Sequence, residues 1–132
     1  MVIFLIGFIY VEPMIMKHKV KTRTLGRDVA HRLAMLRNMA RSLIQARQIE
    51  TTHTRALELK SFVEKLVTKA KKGDLAAKRH VFSCIGCNED AYAFLDLVKA
   101  QFMERNGGYT SIVKYRFRKG DGAPMVILRL MV

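Results

Sequence analysis

The sequence predicts an α+β domain in which about four helices pack on one face of a small mixed three-stranded sheet with a C-terminal β-hairpin, behind a basic N-terminal arm. Three observations lead there. Apolar residues recur at helical spacing through the middle of the chain; the period becomes strand-like after Gly107-Gly108; and Lys17 to Arg27 is basic with almost no large apolar residue. The 132 residues, 50% of them hydrophobic, suffice for one domain and are too few for two ordinary ones. A chain of this size buries about two-thirds of its unfolded surface, so it needs neither metal nor disulfides to fold.

Residues 1–15 differ from the rest. Val2 to Val11 (VIFLIGFIYV) is almost wholly apolar, yet at about 1.5 Å per helical residue it reaches only about half-way through a hydrocarbon core of about 30 Å. It lacks a basic n-region, and Glu12-Pro13 stands where a small-x-small cleavage site would follow. Composition changes abruptly at Met16, and the reading adopted is a start codon placed too early, with the native chain opening at Met16.

Residues 16–27 then form a basic arm and residues 28–132 a single domain. Lys17 to Arg27 (KHKVKTRTLGR) buries too little surface to order itself. Asp28 is placed to cap a helix carrying Leu33, Leu36, Ala40, Leu43 and Ile44 on one side, with Arg37 and Arg41 one turn apart on an adjoining face. Gln48 to His53 (QIETTH), rich in β-branched residues, reads as one strand. The cleanest period follows: Leu59, Phe62, Val63, Leu66, Val67 and Ala70 mark a core-facing helix. Lys71-Lys72 suit its C-terminal end and Gly73 its left-handed cap.

Asp74 starts a shorter helix towards Phe82, and Asn88 caps another marked by Ala91, Phe94, Leu95, Val98 and Phe102, which Asn106-Gly107-Gly108 ends. Tyr109 to Phe117 (YTSIVKYRF) and Met125 to Val132 (MVILRLMV) flank the turn-rich Lys119-Gly120-Asp121-Gly122 and read as an antiparallel hairpin.

Charge points to the partner. With 24 Lys plus Arg against 11 Asp plus Glu, the chain carries a formal +13 and a pI near 10.2. Self-repulsion of this size is offset by a polyanion, and nucleic acid leads because neutralised phosphates release counterions. An anionic membrane or an acidic protein also satisfies the bulk charge. From Lys17 to Arg47 nine basic residues face Asp28 alone, a net +8, and from Arg23 to Arg47 the basic residues are arginines, which suit bidentate phosphate contact.

Catalytic and metal constellations are weak. Cys84-Ile85-Gly86-Cys87 has redox and metal-ligand spacing, with His80 one turn earlier, but no second Cys pair completes a tetrahedral site. The pair reads as free loop thiols of a reducing compartment. His31 has no carboxylate placed by sequence to orient it, Ser42 has no nucleophile-elbow context, and no Gly-rich phosphate loop or paired-carboxylate motif is present. No catalytic residue, cofactor, metal or small-molecule substrate is expected. Tyr109 and Tyr115 fit either base stacking or ordinary packing.

His31-Arg32-Leu33-Ala34-Met35-Leu36-Arg37-Asn38-Met39 resembles the family of the seventeenth protein of the bacterial large ribosomal subunit. Further matches keep the order: Met16-Lys17-His18, Leu25-Gly26-Arg27, Ile49-Glu50-Thr51-Thr52, Ala56-Leu57-Glu58, Gly107-Gly108-Tyr109-Thr110 with Ile112, and Arg118 to Met125 (RKGDGAPM). The resemblance covers Met16 to Val132. It implies a non-catalytic, cytoplasmic α+β protein seated on large-subunit ribosomal RNA of the 23S type. The seat is on the solvent side near the nascent-peptide exit, beside neighbouring ribosomal proteins and away from any membrane. Carried over, the rRNA-facing set is Lys17, His18, Lys19, Arg23, Arg27, His31, Arg32, Arg37, Asn38 and Arg41, to which Tyr109, Arg116 and Arg118 are added. The competing expectation is a free-standing basic nucleic-acid-binding regulator.

Overall fold

The computed structural model describes residues 23–132. The expectations for the apolar run, for the arm up to residue 22, and for Lys17, His18 and Lys19 lie outside the described residues.

Helix α1 (Val29–Ala46) begins where Asp28, in extended conformation, accepts the His31 N–H on its side chain, as the cap residue predicted. Leu36, Ala40, Leu43 and Ile44 are buried. Leu33 departs from the expected stripe and is 41% exposed, because the first two turns carry no buried residue and stand clear of the core. The helix ends on Arg47, which adopts the left-handed conformation and accepts the Leu130 N–H at 2.9 Å, fixing the last strand to this turn.

Strand β1 (Gln48–Thr52) stops one residue short of the expected run, and His53 instead opens helix α2 (His53–Ala70). Its apolar stripe is buried as predicted except Phe62, which is half-buried at the edge of the core. Gly73 takes a left-handed φ, and Asp74 caps helix α3 (Leu75–Ile85) through the Ala77 N–H at 2.7 Å. This helix runs past Phe82 and contains Cys84, so the first thiol is helical, not in a loop. The left-handed Gly86 closes α3 and only Cys87 remains before helix α4 (Asn88–Leu97). The extended cap position therefore falls to Cys87, and Asn88, expected as the cap, is already helical. A π turn, Val98–Phe102, continues α4 with Val98 and Phe102 buried.

Strands β2 (Thr110–Phe117) and β3 (Pro124–Leu130) form the hairpin. The sheet order is β1-β3-β2 and both pairings are antiparallel, which corrects the mixed sheet expected from sequence. β3 is the most apolar strand and takes the centre; β1 and β2 run parallel to each other but flank it without touching. Val126, Leu128 and Leu130 form the buried face, against which α1 and α2 lie, while α3 and α4 pack behind those two helices. A bulge interrupts β2: Lys114 and Arg116 pair with the consecutive residues Val126 and Met125, leaving Tyr115 without a partner.

Candidate nucleic-acid interface

The turn before α1 sets the site. Arg27 N–H donates to the Thr24 carbonyl at 3.1 Å, and both central residues, Leu25 and Gly26, have positive φ, the pattern of a type I′ turn. Arg23 and Arg27 thereby line one open cleft of about 660 Å³ with His53, Arg55, Arg118 and Pro124. The cleft is built from the arm's base, the first turn of α2 and the hairpin end.

Two local features make it electropositive. Thr52 makes no side-chain cap bond at the start of α2, so the first-turn N–H groups there keep their partial positive charge. Arg55 and Arg27 have no carboxylate partner among the described residues, Arg27 instead donating through Nε to His31 Nε2 at 3.3 Å. Arg23 and Arg118 are partly neutralised, the first by Glu58 at 3.4 Å and the second by a two-pronged contact to Asp121 at 2.9 and 2.6 Å. Hydrogen bonding from Arg118, helped by the Ala123 N–H, lowers the Asp121 carboxyl to about 2, and Asp121 in turn raises Arg118.

Along α1 the predicted residues spread around the helix. At about 100° per residue, Arg37 and Arg41 share one flank, Arg32 lies on the opposite one, and His31 and Asn38 fall on the outer face between them. His31, Arg37 and Asn38 are exposed and Arg32 is half-buried. Arg41 is different: its Nε donates at 2.7 Å to Asp90 on α4, whose other oxygen accepts from Gln45 at 2.8 Å. Those hydrogen bonds, Arg41 first, hold the nearly buried Asp90 carboxyl below its ordinary value and raise Arg41. Arg116 pairs with Glu50 of β1 at 2.8 Å. Tyr109 is 4% exposed, meets Phe102 edge-on at 5.3 Å and donates its hydroxyl to the Arg105 carbonyl. Of the two readings open for Tyr109, packing is the one realised, and no ring face is left for a base.

The family model described as Ribosomal protein L17 matches residues 35–131. This chain belongs to the ribosomal protein L17 family. It is 53% identical over 109 residues to the large ribosomal subunit protein bL17 of Desulforudis audaxviator, covering 83% of this chain and 97% of that protein. The bL17 proteins of Campylobacter concisus and Nautilia profundicola are each 47% identical, over 88% of this chain and 98% of theirs.

In this L17-family chain the structure brings Arg23, Arg27 and Arg118 together, with His31 beside Arg27, and leaves the α1 set and Arg116 dispersed. Sequence reasoning missed His53 and Arg55. A signal for them existed: the first turn of α2 holds an arginine and a histidine and no acid, a charge pattern that runs against the helix dipole. Burial raises the Cys84 thiol, which sits 3.5 Å from His80 Nε2, and both cysteines are free. Among the described residues no cluster of three His, Cys, Asp or Glu side chains is placed to hold a metal, and no helix is long and apolar enough to cross a membrane.

Proposed function

We propose that this chain is a structural constituent of the large ribosomal subunit that binds 23S-type rRNA and performs no chemical step. The observation that carries the reading is the open cleft where Arg23, Arg27, His53, Arg55 and Arg118 converge on the uncapped start of α2. Guanidinium forks and free helix N–H groups are donors, a set that matches phosphate oxygens. The bL17 name of its relatives supports the same partner.

On this reading His31, Arg32, Arg37 and Asn38 extend the contact along α1, Arg116 adds to it at the sheet, and Lys17, His18 and Lys19 add charge for the same RNA. Arg41 serves as an internal tie and Tyr109 as core. The seat is the solvent side of the subunit near the peptide exit, among neighbouring ribosomal proteins in the cytoplasm. The test is fractionation: the native protein should remain with large subunits through a high-salt wash, and recovery only in the ribosome-free fraction would overturn the reading. A free-standing regulator would instead bind duplex DNA with sequence preference.

A further inference from the structure

The arginine cleft adjoins a second cavity of about 330 Å³, and His53 and Pro124 line both. The second has a different chemistry. Tyr115, Phe117, Met125 and Val126 line it together with Lys114 and Arg116. Phe117 is 74% exposed and Tyr115 57%, so two ring faces stand in water. Tyr115 and Phe117 are two positions apart and line this one cavity, and the bulge leaves Tyr115 without a cross-strand partner. Arg116 lies 5.4 Å from the Tyr115 ring centroid while its other contact, Glu50, holds it at 2.8 Å, which steadies the ring.

Exposed rings edged by Lys114 and Arg116, one step from an arginine cleft, match the two halves of a nucleotide: a π-face and a phosphate. A duplex offers only the phosphate, because its bases are stacked on each other. An apolar protein segment would cover the rings but leave Lys114 without an anion. We infer that the Tyr115–Phe117 cavity takes an unpaired RNA base whose flanking phosphates lie in the adjoining arginine cleft. The inference rests on the rRNA reading above and adds the class of RNA element bound, a splayed-out nucleotide.

The full chain contains no Trp, so Phe117→Trp gives a single reporter that preserves stacking. Its emission should be quenched by a large-subunit rRNA transcript and by short oligoadenylate, and left unchanged by a fully paired RNA duplex. Tyr115→Ala, Phe117→Ala and Phe117→Leu should each weaken binding to the transcript by about 5- to 150-fold with an unchanged salt slope, since a stacked base is lost and no phosphate contact is. Wild-type affinity in Phe117→Leu with a loss in Phe117→Ala would mean an apolar contact of the kind a protein makes, and would overturn the inference. So would unaltered affinity in all three, or equal quenching by the duplex. If the wild-type chain itself fails to bind the transcript, the rRNA reading falls with it.

Discussion

Arg41 of α1 and Asp90 of α4 are joined by a 2.7 Å charge-assisted hydrogen bond between residues 49 positions apart, and Asp90 is 7% exposed. An arginine that the sequence assigns to RNA thus also ties two helices together. Because hydrogen bonds from Arg41 and then Gln45 depress the Asp90 carboxyl, its stabilising contribution is complete above the unfolded carboxylate value, about 3.9. It is lost as pH falls from there through the lower folded value. Asp90→Asn should therefore lower the thermal midpoint at neutral pH and approach the wild type below about pH 4. Thermal unfolding across pH checks this; a gap that stays constant with pH would assign the effect to packing.

The two aspartate caps should be separable by strength. Asp74 accepts the Ala77 N–H at 2.7 Å, whereas Asp28 accepts the His31 N–H at 3.5 Å. Cap removal typically costs about 0.5–2 kcal/mol. Asp74→Ala should fall toward the upper end of that range and Asp28→Ala toward the lower, as read from urea denaturation. Equal losses would show that the longer bond shortens in solution.

Much of this was legible in the sequence because it depends on local pattern. The α2 stripe from Leu59 to Ala70, the caps at Asp28 and Asp74 and the hairpin around Gly120 need only spacing and turn chemistry. What escaped depends on three dimensions. Leu33 matches the helical period but lies where α1 outruns the core, and the central position of β3 follows from pairing that no single strand encodes. Arg41 reads like its neighbour Arg37 until α4 brings Asp90 beside it. The cleft was half visible: Arg23 and Arg27 belong to an evident arginine run, while Arg55 joins them only because Thr52 ends β1 and turns α2 toward the hairpin.

Phe94 tests the core itself. It is fully buried on α4, and so is Phe102 at the end of the π segment that continues the helix. Phe94→Ala should cost about 3–5 kcal/mol by lost transfer energy and the cavity left behind. Phe117→Ala, on a side chain 74% exposed, should change stability little. Chemical denaturation of both variants checks the contrast, and comparable losses would contradict the burial described for α4.

The cleft makes a prediction about salt. Log affinity for an RNA falls with log salt by about 0.7 to 0.9 per phosphate neutralised. Arg27 and Arg55 have no carboxylate partner among the described residues, so Arg27→Ala and Arg55→Ala should each reduce the slope by about that amount. Arg118 starts from a different state, since Asp121 already occupies its guanidinium on two oxygens. Arg118→Ala should therefore change the slope less than either. Asp121→Asn removes the competing charge and frees Arg118 for phosphate, and should steepen the slope by up to one contact. Filter binding to large-subunit rRNA over a salt series measures all four. Arg41→Ala, placed on the α4 tie, should destabilise the fold while leaving the slope of the folded protein unchanged. A flattened slope in Arg41→Ala, or an unchanged one in both Arg27→Ala and Arg55→Ala, would move the RNA contact from the cleft to the α1 flank.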